Sequence, residues 1–182
     1  MALEIERKFL VADDGWREST DGGVHLREGL LARMARGKIR IRRSDRQAWI
    51  TVKGPKVGFT RSEYEYAIPL ADADAMLATL CEGLLIEKTR YCVDVDGLTW
   101  EVDQFTGALK GLVIAEVELS HAGEVFTRPS WVGREITTDS AYSSAALIHR
   151  LRQAQGQNAD ALPSVRVPDP IRLDQPDRSI RL

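Results

Sequence analysis

The sequence predicts an α+β protein built mainly from antiparallel β-strands, and three patterns carry that prediction. Charged and apolar residues alternate with period two in seven segments, with an eighth near Val24–Leu31. Such alternation places successive side chains on opposite faces of a strand. Turn residues punctuate the segments, and two stretches break the alternation with helical spacing.

In chain order, Glu4, Glu6 and Lys8 alternate with Ile5, Arg7 and Phe9. Lys38, Arg40 and Arg42 alternate with Ile39 and Ile41, and Thr51 and Lys53 with Ile50 and Val52. Glu63 and Glu65 alternate with Tyr64 and Tyr66. Lys88, Arg90 and Cys92 alternate with Thr89, Tyr91 and Val93. Glu101 and Asp103 alternate with Trp100 and Val102, and Glu116 and Glu118 with Ala115, Val117 and Leu119. Gly54-Pro55, Asp96-Gly97 and the stretch from Gly107 to Gly111 supply turn chemistry, so the strands read as an antiparallel meander. Leu70–Leu80 reads as a helix, with Asp72 as its N-cap and Gly83 past its end. Ser140–Gln155 reads as a second, ending in Arg150, Arg152 and Gly156. From 157 to 182, prolines among alternating charges bury too little apolar surface to offset their ordering entropy. We expect a folded unit over 1–156 followed by a flexible tail.

Composition narrows the function classes. The 182 residues carry a formal net charge of -2 and a pI of about 6.0, so no global basic field points to a nucleic-acid partner. No apolar run approaches the ~20 residues of a membrane span. The start lacks the apolar core of a signal peptide. Cys81 and Cys92 read as reduced thiols, which with the missing signal places the protein in the cytoplasm. Cys92 shares the parity of Lys88 and Arg90, and packing is its expected role. The scattered His25, His121 and His149 have no partner spacing, and neither a P-loop nor a nucleophile elbow occurs.

The charges themselves are unusual. A sheet with one charged face usually just meets water, with its signs mixed. Here same-sign residues recur at i and i+2 on one strand: Glu4/Glu6, Arg40/Arg42, Glu63/Glu65, Lys88/Arg90, Glu101/Asp103 and Glu116/Glu118. Such neighbours lie ~7 Å apart. Their repulsion is ~0.6 kcal/mol in water and ~2.4 kcal/mol at an effective dielectric near 20. Segregation by strand suits acidic walls that hold cations and basic walls that hold an anion. The face carries more carboxylates than bases, an excess that one or two divalent cations neutralise, while the bases meet phosphate oxygens. Mg2+ and Mn2+ are the hard ions suited to such ligands. The chemistry that remains is attack by a metal-activated water on a phosphoanhydride, with Arg and Lys neutralising the transferred group. Periodicity does not decide whether the charged faces point to solvent around a sandwich core or line a closed ring. In a closed ring, helices, loops or a second subunit in a homodimer would cover the apolar outer faces.

The run Glu4-Ile5-Glu6-Arg7-Lys8-Phe9 resembles the ExExK signature of the CYTH superfamily, the triphosphate tunnel metalloenzymes. Six further segments follow in that family's order: 38–42, 51–54, 61–65, 87–91, 100–105 and 115–119. The resemblance implies a closed eight-stranded tunnel barrel with charges inside and flanking helices. It implies metal ligation by Glu4, Glu6, Glu116 and Glu118, with Mg2+ or Mn2+ as cofactor. It implies triphosphate binding by Lys8, Arg40, Arg42, Lys53, Lys88 and Arg90, and catalytic work by Lys53, Glu6 and Lys88. Glu63, Glu65, Glu101 and Asp103 match further tunnel carboxylates.

The segments look most like short bacterial inorganic triphosphatases, which implies hydrolysis of tripolyphosphate to pyrophosphate and phosphate. A class IV-like adenylate cyclase, a thiamine or nucleoside triphosphatase, and a non-catalytic polyphosphate-binding module are the alternatives the family leaves open. Two positions depart from the pattern. Leu30 stands where a Tyr commonly pairs with the lysine matched by Lys53, and Asp139-Ser140-Ala141-Tyr142 replaces a Lys-Arg-Tyr-like stretch. A Leu cannot orient an amine by hydrogen bonding.

Overall fold

A computed structural model describes residues 3–20, 22–81 and 85–156. The strands are β1 (Leu3–Val11), β2 (Val24–Met34), β3 (Gly37–Arg43), β4 (Ala48–Lys53), β5 (Thr60–Ile68), β6 (Leu85–Val95), β7 (Leu98–Phe105), β8 (Val113–Glu118) and β9 (Val132–Glu135). The helices are α1 (Leu70–Thr79) and α2 (Ser144–Gly156). The sheet order is β5-β4-β3-β2-β6-β7-β8-β1-β9, and β5 also pairs with β1, which closes eight strands into a ring. All pairings are antiparallel.

One edge of β1 is occupied by β8 through Glu6–Leu10. The other edge is shared. Leu3, Glu4 and Ile5 pair with Ser62, Arg61 and Thr60 of β5, while Phe9 and Val11 pair with Glu135 and Val132 of β9. Among the described residues the ring therefore closes over three register pairs. The short β9 is an addition to the expected strands: four residues, Val-Gly-Arg-Glu, are too few to show a period of two. Asp96 and Gly97 both have positive φ, 52° and 81°, as a two-residue hairpin turn requires.

Apolar parity faces outward along most of the ring. Phe9, Val93, Trp100, Val102, Ala115 and Val117 form a buried cluster closed over by Trp16, Phe126 and Trp131 from the loops. On the opposite side α1 buries Ala73 and Leu77 against Ile41. Gly29 makes this seat possible, because a Cβ there would stand 2.7 Å from Cys81 Sγ and 2.8 Å from Leu77 Cδ2.

At one end of the ring the inward parity itself turns apolar. Ile86, Phe105 and Ile114 lie two residues from Lys88, Asp103 and Glu116, and α2 buries Leu147, Ile148 and Leu151 against them. Each fully buried side chain of this type contributes roughly 1.5–3 kcal/mol. Helix α2 thus caps that end.

The helix boundaries differ from expectation in two respects. Pro69, not Asp72, occupies the N-cap of α1, because β5 runs straight into the helix; the Pro69 carbonyl accepts the Ala73 N–H at 3.1 Å. Asp72 instead sits in the first turn, where its charge meets the helix dipole. The expected second helix begins late: residues 140–142 form a 3-10 turn capped by Asp139, and Ser143 Oγ then accepts the Ala146 N–H at 3.2 Å. Gly83 and the expected tail from 157 onward lie outside the described residues.

Candidate active site

The ring encloses a cavity of about 580 Å³. Every residue expected at the site lines it: Glu4, Glu6 and Lys8 from β1; Arg40 and Arg42 from β3; Lys53 from β4; Glu63 and Glu65 from β5. Lys88 and Arg90 come from β6, Glu101 and Asp103 from β7, and Glu116 and Glu118 from β8. The charged parity therefore faces inward, which settles the choice that periodicity left open.

Inside, acids and bases neutralise one another in pairs. Lys53 Nζ lies 3.0 Å from Glu4 and 2.6 Å from Glu63, and Arg61 also donates to Glu4. Lys8 pairs with Glu116 and stands 3.0 Å from Glu6. Arg90 holds Asp103 with two donors, Nε at 2.7 Å and Nη2 at 2.6 Å, and also meets Glu101 and Glu116. Lys88 reaches the same Asp103 at 2.7 Å. Arg42 grips Glu65 at 2.8 and 2.9 Å, and Thr51 Oγ1 donates to the same carboxylate at 2.9 Å.

Two of these partners escaped the sequence reading. Glu28 is 3% exposed and lies 3.1 Å from both Arg40 and Lys88. Its neighbours of like parity, Leu26 and Leu30, disguised it as part of an apolar face. Arg61 shares the parity of Glu63 and Glu65, so continuing the alternation by one step would have found it.

The electrostatics follow from burial and these pairs. Burial raises the Glu28 carboxyl, but Arg40 and Lys88 outweigh it and hold the group well below the usual carboxylate range. Burial acts likewise on Glu4, where the Arg61 hydrogen bond and Lys53 prevail, and on Glu116, where Lys8 and Arg90 prevail. Glu6 goes the other way: burial, then Glu116 and Glu4, push its carboxyl up. Glu118 is also raised, by burial, Glu4 and Glu101.

Cation fit can be tested on this arrangement. Glu6 lies directly across from Glu118, and Glu101 from Glu116, in the strand register. Like charges in that relation are destabilising. Glu6 Oε1 is buried without a hydrogen bond, since Lys8 Nζ is near it but out of line. Crowded oxygen donors of this kind fit a hard divalent cation. Among the described residues no three carboxylates, imidazoles or thiols converge on one point, because Glu4 and Glu116 are turned to their basic partners.

The remaining expectations fall as follows. His25, His121 and His149 are exposed and line no part of the cavity. Cys92 is exposed rather than packed: it pairs with Glu101 near the open end of the ring, beyond the apolar cover. Cys81 is buried under α1, and both thiols are free. Leu30 lies opposite Arg40 and packs toward α2, while Lys53 is held by Glu4 and Glu63. Tyr142 lines the cavity, and Asp139 caps the turn that carries it. No described helix is long and apolar enough to cross a membrane.

Comparisons with known proteins agree on one kinship. The CYTH domain family matches residues 2–151. An inorganic triphosphatase of Acetivibrio thermocellus is 43% identical over 148 residues, which span 81% of this chain and 94% of that protein. One of Nitrosomonas europaea is 38% identical over 151 residues, spanning 79% and 95%. The crystal structure of the inorganic triphosphatase NE1496 superposes with a TM-score of 0.57 at 36% identity, covering 81% of this chain and 95% of that one.

Proposed function

Because the chain belongs to the CYTH domain family, we propose that it hydrolyses inorganic triphosphate to pyrophosphate and phosphate. The observation that carries this reading is the enclosed cavity, whose walls hold six bases matched to the family's triphosphate contacts, interleaved with carboxylates. The names of the relatives with 43% and 38% identity support the substrate.

In this reading Lys8, Arg40, Arg42, Lys53, Lys88 and Arg90 bind the phosphates. Glu4, Glu6, Glu116 and Glu118 would hold Mg2+ or Mn2+, and Glu63, Glu65, Glu101 and Asp103 keep the bases aimed inward. A divalent cation bound there supplies charge neutralisation and a more acidic water. The paired state is then the resting state: the polyanion takes the bases while the carboxylates they release become available to the cation. Water attacks the terminal phosphorus, and the bond between that phosphorus and the bridging oxygen of the departing pyrophosphate breaks. Glu6 accepts the water's proton. Lys53 and Lys88 neutralise the charge gained by pyrophosphate.

The working unit in this reading is 1–156, with 157–182 appended to it. Two free thiols accord with a reducing, cytoplasmic setting. The test is phosphate release from tripolyphosphate, pyrophosphate, ATP and thiamine triphosphate, with Mg2+, with Mn2+ and with chelator. Release chiefly from tripolyphosphate, lost with chelator and in Arg40→Ala, is expected. Formation of cyclic AMP from ATP, or tight binding with no release from any substrate, would overturn the assignment.

A further inference from the structure

Lys38 stands out among the cations of the ring. Lys8, Arg40, Arg42, Lys53, Arg61, Lys88 and Arg90 each have a carboxylate within 4.0 Å. The Lys38 side chain, by contrast, has no ion pair or hydrogen bond among the described residues. Yet it shares the inward parity of Arg40 and Arg42 and lies across the register from Lys53. It lines a small pocket at the α2-capped end, beside Glu28 and Arg40, with Leu30 and Ile148 as apolar walls. Arg40, Glu28, Ile86 and Ser144 also line the main cavity, so the two spaces adjoin.

The fold brings Lys38 there by a close approach. At Gly37 a Cβ would stand 2.4 Å from the Lys53 carbonyl oxygen, so only glycine lets the start of β3 press against the end of β4. The charged groups around the ammonium are almost all positive: Arg33 across the register on β2, Arg40 on its own strand, Lys53 on β4, Arg61 on β5 and Lys8 on β1. The nearby acid, Glu28, is already engaged by Arg40 and Lys88. Among the described residues of α2, Ser144 and Ile148 line the pocket.

We propose that Lys38 is an additional phosphate contact, which takes the free terminal phosphate of a bound polyphosphate at the α2-capped end of the cavity. This rests on the triphosphatase reading. A cation without an internal counter-ion, beside cavity cations that each have one, marks an excess of positive charge that an entering anion neutralises. It also extends the row of bases on β3 by one inward step beyond Arg40, ~7 Å along the strand. Burial and the surrounding Arg61, Arg40, Lys53 and Lys8 lower the Lys38 amine to about 7 in the free protein. A terminal phosphate beside it favours the ammonium, so binding above that pH takes up a proton.

The experiment is titration calorimetry of metal-free protein with tripolyphosphate at pH 7.5–9, in buffers of different ionisation heat. The wild type, Lys38→Met and Lys38→Arg are compared, each first checked for an unchanged unfolding midpoint. Proton linkage limits the slope to about tenfold weaker binding per pH unit. Tripolyphosphate sheds its own last proton in this range, so the readout is a difference: relative to Lys38→Met, the wild type is expected to take up more protons on binding and to lose its advantage in affinity as pH rises. Lys38→Arg, always charged, should bind with a flatter profile, and Lys38→Met should bind at least about tenfold more weakly at pH 7.5. If Lys38→Met matched the wild type in affinity and proton uptake, the contact would be refuted while triphosphate release remained intact. If the wild type neither bound nor hydrolysed tripolyphosphate, both readings would fall together.

Discussion

Replacing Glu28 by Gln isolates what a single buried carboxylate does for the ring. The group is 3% exposed and stands 3.1 Å from both Arg40 and Lys88. At an effective dielectric near 20, each contact is worth ~5 kcal/mol before desolvation is counted. Desolvation offsets most of that while the pairs are intact. Removing the charge leaves two cations facing only an amide dipole, and breaking a buried pair in this way costs about 3–5 kcal/mol. Gln keeps the shape and can still accept one hydrogen bond, so we expect the lower end, ~3 kcal/mol. In urea, with a slope of ~2 kcal/mol/M, the midpoint at pH 7.5 falls by ~1.5 M. The pH profile gives a second reading. The Glu28 carboxyl is held below its unfolded value, so its contribution is fully present above that value, ~4.3, and fades as pH falls through the folded one. The gap between wild type and Glu28→Gln should stay constant from pH 5 to 8 and narrow in acid. A loss under ~1 kcal/mol at pH 7.5 with an unchanged slope would refute the argument. So would a gap that widened in acid.

Glu6→Gln separates stability from turnover. The Glu6 carboxyl is raised by burial, Glu116 and Glu4, so the folded state holds a proton that the unfolded chain has released, and stability falls as pH rises through that window. The variant should therefore unfold no earlier than wild type at pH 7.5, while phosphate release drops on the order of 100-fold. A markedly lower midpoint would contradict the sign. Gly29→Ala probes the seat of α1, where the new methyl would meet Cys81 and Leu77. Overpacking of about 1–3 kcal/mol lowers the melting temperature by roughly 2–10 °C. Phosphate release at 20 °C should be unchanged, because that face points away from the cavity; a lost activity with an intact melting temperature would be the wrong outcome.

Strand parity made most of the site legible, because an alternating charge needs only a strand to reach its partners. Glu4, Glu6 and Lys8 reach one cavity with Glu116 and Glu118 because β1 and β8 align them in register. What parity could not supply is which face turns inward; ring closure through β1 and β5 decides that. Glu28 stayed hidden because its strand is apolar on both sides of it and bulges between Leu30 and Ala32, which interrupts the period. Lys38 was visible in the alternation, but its lack of a carboxylate depends on pairings across four other strands. The short β9 and the Pro69 cap were equally out of reach, since backbone geometry sets both.

The shared edge of β1 gives the ring a seam. Among the described residues Leu3, Glu4 and Ile5 join it to β5, and one of those three carries a carboxylate tied across the join to Arg61. Under the proposed function Glu4 also serves the bound cation, so local opening at this thinnest joint would be linked to occupancy. On that reading a cation that drew Glu4 away from Arg61 would loosen the seam, and a polyanion paired with the freed Arg61 and Lys53 would fasten it again. Amide exchange at 3–5 and 60–62 should quicken with Mg2+ alone and slow once tripolyphosphate joins it.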